Sequence, residues 1–337
     1  MSFKRFEADD LVVSAEPVSA PVWSTGTPIL TAFYTGSGQA NGTSGNYYLN
    51  VYQTGSNQAA AAVQFAIAYG DIEGSGSRAY NNAIPAYSFS RTTYGQLRTL
   101  LLGDEEVNLK YGGYEPKNFY AIAIDRDRFK ESLLQGSFNL HLSGSGNSPA
   151  VLHLTDNSLD VSTIVYNDAG RVFQVVSGSN GSAYNSTGYT TSSGSYGLFL
   201  PDVGLILLNA AALDDNTGQG INLGTERDSD TDNNNEQKLF NRIVAQGNFQ
   251  LNYQETVSSQ FVFTRVRNSE FNYSTNPSYI TGSGDLRISN FINAPQTYIT
   301  TVGMYNDNNE LLAVAKLSKP LLKDFTKEAL IRIKLDF

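Results

Sequence analysis

The sequence has no cysteine, one tryptophan, two methionines and two histidines. Without cysteine, no disulfide framework can form and thiolate metal sites are excluded. A chain free of thiols fits assembly in a cytoplasm, and it fits equally well selection against oxidisable groups.

Charge is scarce as well, since charged residues make up 16% of the chain, against about a quarter in an average soluble domain. The net charge of −9 argues against a nucleic-acid partner, because such sites require clustered Lys and Arg. The sequence contains no apolar run of about 18 residues, so we expect no membrane span. Five of the first ten residues are charged and no apolar segment follows, so we expect no secretory signal.

Glycine (30 residues), tyrosine (20) and phenylalanine (18) are abundant instead. This mixture favours short strands and tight turns over long helices. We therefore predict a mainly β fold, with sandwich- or barrel-like sheets of short antiparallel strands and two short helices, at residues 92–102 and 236–246. From the length of the chain and the order of its predicted elements we expect three parts. These are an N-terminal arm (1–24) that contacts neighbours, a β-rich domain with one helix (25–160), and a second β-rich domain with one helix (161–337) that ends in a hairpin and a terminal strand.

The C-terminal part of the chain carries the clearest strand pattern. Residues 298–305 and 311–317 are apolar or β-branched and flank the turn formers at 306–309, which predicts a hairpin. The tripeptide 318–320 ends in proline and is expected to break the second strand. Ile331, Ile333 and Leu335 alternate with charged residues, which predicts a terminal strand tied into a sheet.

The first 23 residues mix charge with Pro17 and Pro21 and show no clear period. Two interpretations stay open: a partly ordered terminus, or a segment laid onto a neighbouring subunit.

Other segments have the alternation or the flanking turn residues of strands, and the segment after residue 59 is assigned to a strand although its alanines also suit a helix. The predicted strands are 28–34, 47–52, the run from 59 to 69, 119–124, 136–142, 151–154, 164–166, 172–176, 198–208 (one buried strand with a break at 201–202), 248–253 and 260–267.

His141 and His153 are the two histidines, and both lie among leucines in predicted strands that a short turn joins. They could therefore face each other. A metal pair is one interpretation, but a third ligand is scarce nearby, so packed structural histidines are favoured.

Asp228, Asp230 and Asp232 are spaced like the first ligands of a calcium loop. Asn233 and Leu239 stand where such a loop needs glycine and a bidentate glutamate, so a solvated acidic loop is favoured. No nucleophile, phosphate-binding or zinc-protease motif occurs, and two carboxylates suited to glycoside hydrolysis cannot be singled out. We therefore predict no catalytic residue, no cofactor and no bound metal.

Five C-terminal segments resemble the end of a known family: residues 270–277, 298–303, 305–307, 311–320 and 334–337. They are similar to the C-terminal block of virion structural proteins from contractile-tailed, T-even-like phages of marine cyanobacteria. Shorter similar pieces occur earlier, at 68–70, 74–77, 100–102, 136–140, 197–199 and 201–202.

The resemblance implies a non-enzymatic virion subunit, most plausibly in the tail baseplate (a wedge protein). It would be assembled in the host cytoplasm, in several copies, against other virion proteins. A place at the neck or on the head surface is an alternative. A receptor- or glycan-binding fibre module is another, in which loops 178–197 and 214–235 would meet the host surface. The low charge agrees with broad protein–protein contact, since polar-aromatic faces cost little to desolvate.

Overall fold

Antiparallel β-strands make up most of the regular structure in the computed structural model of the protein, which confirms the mainly β prediction. The structure describes residues 3–36, 48–76, 83, 88–145, 150–184, 192–227 and 235–336, apart from the side chain of Asn290.

Strands and helices are numbered here in chain order. The strands are β1 (Leu11–Pro21), β2 (Ile29–Leu30), β3 (Tyr34–Thr35), β4 (Tyr48–Tyr52), β5 (Val63–Asp71), β6 (Asn118–Ile124), β7 (Ser132–Leu133), β8 (Asn139–Ser143), β9 (Val151–Asp156), β10 (Val165–Asn167), β11 (Gly170–Ser179), β12 (Ser182–Ala183), β13 (Gly197–Leu200), β14 (Leu205–Asn209), β15 (Phe249–Gln250), β16 (Asn252–Val266), β17 (Thr297–Tyr305), β18 (Leu311–Lys323) and β19 (Ala329–Asp336). The helices are α1 (Phe89–Leu102), α2 (Ala210–Leu213), α3 (Asn235–Gln246) and α4 (Asn290–Asn293).

Contacts divide the chain into two units, called here the smaller unit (Met1–Pro17 with Thr256–Phe337) and the larger unit (Val18–Glu255). The sequence predicts boundaries after residues 24 and 160, and this division differs from both. Residue 160 lies between β9 and β11, which are hydrogen-bonded neighbours in one sheet. The sequence does not show that these two strands pair, because β9 and β11 are not consecutive strands, so it places a boundary between them.

The larger unit contains a thirteen-stranded sheet in the order β2-β15-β8-β9-β11-β13-β14-β6-β5-β4-β3, with β10 and β12 paired to β11. Two predicted hairpins are confirmed in it: β8 with β9, and β10 with β11. Residues 198–208, predicted as one strand with a break, are instead two antiparallel neighbours, β13 and β14. Gly170 opens β11 with φ of 106°, which the tight β10–β11 turn requires.

Four aromatic side chains form the centre of the larger unit's core: Trp23, Phe65, Phe138 and Phe249, all nearly or fully buried. Phe249 touches the other three, with ring centroids 4.9 Å from Trp23, 5.2 Å from Phe65 and 6.0 Å from Phe138. The Trp23 indole N–H donates to the Pro28 carbonyl at 3.0 Å, so the polar end of this buried ring is satisfied.

The strand assignment for the alanine-rich segment is confirmed by β5, whose bulky residues (Phe65, Ile67, Tyr69) are buried on one face. Helix α1 lies on the other face, and Gly103 ends it in the left-handed conformation. Helix α3 buries Leu239, Phe240 and Ile243 in the main core. These are the two predicted helices, and α2 and α4 add a single turn each.

The smaller unit contains residues 11–17 of β1, residues 256–266 of β16 and the whole of β19, which pair in the order β1-β16-β19, and it also contains the hairpin β17–β18. Its core is thin: Val262, Ile331 and Ile333 are buried, and partly buried residues of the hairpin pack against them. Within β19, Ile331 and Ile333 are buried and Leu330, Arg332 and Lys334 are exposed, so the predicted terminal strand is confirmed.

Two strand predictions need correction. Residues 11–21, predicted without regular structure, form strand β1 beside β16. The sequence hides this strand because most of its residues are exposed on both faces, so no alternation arises. The predicted separate strands 248–253 and 260–267 are instead the short β15 and one fifteen-residue strand, β16.

Candidate functional site: an exposed apolar surface

Exposed apolar side chains are concentrated in the smaller unit. It has fewer than a third of the residues, yet it holds more than half of the exposed large hydrophobic side chains found among the described residues. Its acidic and basic residues are equal in number, so the whole net charge of −9 falls on the larger unit. A neutral unit with many exposed apolar groups has the composition of a contact surface.

The hairpin β17–β18 presents much of this surface, because its alternation gives it two faces. Ile299, Val302 and Met304 turn inward and pack against the thin core. On the opposite side, Tyr298 is 54% exposed and Val314, which pairs with Gly303, is 58% exposed. Apolar side chains on both faces of a two-stranded hairpin leave one face without a partner inside the unit.

Two irregularities shape the hairpin. Near the tip, Met304 pairs with Ala313 and Tyr305 with Leu311, so Leu312 is an extra residue, and it is 68% exposed. Near the base, Ile299 pairs with Leu321 and Thr301 with Lys316, so residues 317–320 lie opposite one residue. The predicted break at Pro320 therefore interrupts the pairing, although the strand itself continues to Lys323.

The tip of the hairpin is held by the Asn306 side chain. Its carbonyl oxygen accepts from the backbone N–H groups of Asn308 (3.1 Å) and Glu310 (2.8 Å), and its amide donates to the Glu310 carboxylate at 2.6 Å. Asn309 takes a φ of 60°, as a turn amide can. Phe3 contacts Tyr305 edge-on with centroids 5.4 Å apart, so the first residues of the chain extend the apolar surface beside the tip.

The base of the hairpin is held by Lys323, a fully buried lysine. Its ammonium group donates to the Asn268 carbonyl (2.8 Å), to the Asn272 side-chain oxygen (2.8 Å) and to the Asp324 carbonyl (2.9 Å). Three oxygens saturate the three donors of the group, which makes burial of the charge tolerable. Lys323 thus ties β18 to the connector that follows β16.

We expect Lys323→Met to lower the free energy of unfolding of the smaller unit by about 3 kcal/mol, since it leaves buried acceptors without a donor. Hydrogen exchange of the β17 and β18 amides should become correspondingly faster. Lys319→Met in the same strand is the matched control, because Lys319 is exposed. Equal exchange in the two variants would show that the three bonds of Lys323 do not hold the hairpin.

The two histidines face each other as the sequence predicts. His141 of β8 pairs directly with His153 of β9, and their ring centroids are 4.0 Å apart. His141 Nδ1 lies 3.2 Å from the Asn248 amide nitrogen, and His153 Nδ1 lies 3.2 Å from the Tyr184 hydroxyl. Burial, and next the adjacent His153, lower the pKa of His141. Each Nδ1 thus has a partner within the chain, in keeping with a packed pair.

Asp228, Asp230 and Asp232 lie outside the described residues, as do parts of the loops 178–197 and 214–235. Within the described ranges, no group of three or more His, Asp or Glu side chains is placed to hold a metal ion. The same ranges contain no helix with the length and apolar character that a membrane crossing needs.

The larger unit contains a buried polar network that the sequence does not reveal. Asp71, fully buried at the end of β5, accepts from the backbone N–H groups of Glu73 (2.9 Å) and Ser75 (3.1 Å) and from Arg227 Nε (2.8 Å). Arg227 also contacts Glu73, through Nη2 at 3.1 Å. These hydrogen bonds satisfy both carboxylate oxygens of Asp71 and anchor Arg227 to the end of β5, so we interpret the network as structural. Its only sequence signal is an aspartate directly after an apolar strand.

The carboxyl group of Glu236, in the first turn of α3, lies against the backbone of Tyr69, and burial raises its pKa to about 7. Because the pKa is higher in the folded state, folding favours the protonated form, and this contribution is complete below about pH 4.5 and lost as the pH rises through 7. Glutamine stays uncharged at every pH. We therefore expect Glu236→Gln to avoid the loss of stability at high pH and to stabilise the larger unit above pH 7 by up to about 3 kcal/mol. Unfolding followed by Trp23 fluorescence at pH 5 and pH 8 measures it.

The exposed Glu105→Gln is the matched substitution for this experiment. A Glu236→Gln variant whose stability changes with pH exactly as that of the parent chain would contradict the buried-carboxyl assignment.

A groove of about 480 Å³ lies where α1 crosses the sheet of the larger unit. Its floor is made by Ala66, Ala68, Ala121 and Ala123, the small side chains of two neighbouring strands. The described residues that line it include no carboxylate and no histidine.

Comparison of the chain with protein families, with curated proteins and with solved structures gives no match.

Proposed function

We propose that the protein is a structural subunit of a contractile-tailed phage particle, placed in the tail baseplate and held there by protein–protein contacts. The observation that carries the proposal is the concentration of exposed apolar side chains on the neutral smaller unit. Exposed apolar side chains that cluster on one part of a protein are typical of contact sites.

The motifs that resemble phage virion proteins support the same proposal. They are densest in the smaller unit, where residues 298–303 belong to β17 and residues 311–320 to β18. The segments with the resemblance therefore build the hairpin that presents the apolar face.

The test is to locate the chain in intact particles of the virus that encodes it. Peptides of the chain should be found in purified particles by mass spectrometry, and labelled antibody or density from electron cryomicroscopy should place it at the baseplate. Its absence from purified particles would refute a virion role. Density at the neck or on the head surface would refute the baseplate assignment and leave the structural role in place.

A further inference from the structure

Strand β1 is poorly covered by its own chain. It pairs with β16 along one edge, and no other described strand pairs with it. Eight of its eleven residues are exposed, and Val13 is 70% exposed. A strand that is open along one edge and bare on its faces is a template for strand addition.

The two prolines of β1 show which backbone groups face the open edge. Proline has no N–H, so within a sheet its nitrogen must point away from the paired neighbour. Pro17 and Pro21 are four residues apart and share one orientation, and alternate residues of a strand share it too. Val13 and Ala15 therefore direct their N–H and carbonyl groups to the open edge, where a partner strand could receive them.

The opposite edge of this sheet is β19, which likewise pairs with β16 alone among the described strands. Its exposed face carries Arg332 and Lys334, which lie over the Phe261 ring at 5.0 Å and 5.8 Å from its centroid. Lys334 reaches Glu16 of β1 at 3.7 Å across β16, so these charges share one face of the sheet.

The charges of the two edges decide how copies can combine. Residues 6–21 contain four acids and no base, and Glu16 is the acid that lies within β1, whereas β19 exposes Arg332, Lys334 and Asp336 and carries a net charge of +1. Pairing β1 with β1 would bring two acidic segments together, and pairing β19 with β19 would bring two net-positive strands together; like charges across a strand pair are destabilising. Pairing β1 of one copy with β19 of another brings opposite charges together.

We propose that the β1 edge of one copy adds to the β19 edge of a second copy, so that the sheet continues head to tail from subunit to subunit. The inference rests on the proposed function in treating the chain as a polymerising subunit, and it names the partner as the chain itself. Such heterologous contacts form a closed ring or an open filament. Because the smaller unit carries no net charge, the smaller units of two copies can approach each other. The larger units are acidic and repel each other, which disfavours other contacts between copies.

The cysteine-free chain allows a direct test with single-cysteine variants of the full-length protein. Val13→Cys and Leu330→Cys place a thiol on exposed positions of the two edge strands. Mixed and treated with a bifunctional maleimide, they should give a cross-linked dimer of one variant with the other, well above the yield from either variant alone. Dimers of Val13→Cys with itself, or no cross-linking at all, would overturn the proposal.

A proline substitution provides the second measurement. Val13→Pro removes an N–H from the open edge without removing a bond to β16, so it should abolish the larger species in sedimentation while β17 and β18 keep their hydrogen-exchange protection. An unchanged sedimentation profile with retained protection would also overturn the proposal.

The failure of this inference and the failure of the proposed function give different results. If the chain is found in purified particles but the mixed variants do not cross-link, head-to-tail pairing is wrong and the virion role stands. If the variants cross-link but the chain is absent from particles, the pairing stands and the virion role is wrong.

Discussion

For the virion subunit proposed above, replacing both Leu312 and Val314 by lysine should reduce incorporation into particles by more than tenfold. These residues are 68% and 58% exposed on the outer side of the β17–β18 hairpin. Truncating a buried interface anchor costs at least about 2 kcal/mol, and about 1.4 kcal/mol is a factor of ten in affinity. Two lysines there would also place unpaired charge in the contact. Complementation of a deletion phage, followed by quantification of the protein in purified particles, measures the effect.

The matched control is a double lysine variant of the larger unit, Leu159→Lys with Val165→Lys, since these side chains are 72% and 63% exposed. Both variants should keep the stability of the parent, because exposed substitutions seldom change it by more than about 0.5 kcal/mol. Normal incorporation of a folded Leu312→Lys, Val314→Lys variant would show that the hairpin's outer face makes no essential contact.

Phe249→Ala should lower the free energy of unfolding of the larger unit by about 4 kcal/mol, the cost of emptying a phenylalanine site in a packed core. Phe249 is fully buried and touches Trp23, Phe65 and Phe138, so its removal leaves a cavity in the middle of the aromatic cluster. Trp23 is the single tryptophan, so its fluorescence reports the same cluster without interference. Denaturant unfolding followed by that signal gives the change.

Phe325→Ala, which removes a phenylalanine that is 55% exposed, is the matched control and should leave this transition unchanged. A Phe249→Ala variant within about 1 kcal/mol of the parent would mean that the cluster is not the main support of the larger unit.

The elements that sequence analysis predicted well are those defined by local chemistry. The C-terminal hairpin is marked by two β-rich runs around four turn-forming residues, and α3 is marked by an apolar stripe that ends at Gly247. The facing histidines follow from two alternating strands joined by a short turn, which fixes the register. In each of these elements, the residues that mark it in the sequence are separated by no more than about twenty positions.

The features that the sequence did not reveal depend on distant parts of the chain. Strand β1 is defined by its pairing with β16, some 240 positions away, and its exposed faces leave no period to detect. Arg227 meets Asp71 across a separation of 156 residues, and nothing near either residue marks the pair. The apolar surface is equally hidden, because alternation shows that a strand has two faces but does not tell which of them a second layer covers.

The irregular stretch at residues 317–320 has a consequence for how the chain can change over time. Four residues there lie opposite one, and regular pairing resumes on both sides. Losing a residue within this stretch would shorten the bulge, and gaining one would lengthen it. In both cases Lys316 would stay opposite Thr301 and Leu321 opposite Ile299. Variation in length among descendants of this gene should therefore be tolerated at this point of β18, and the contact face nearer the tip should keep its alignment.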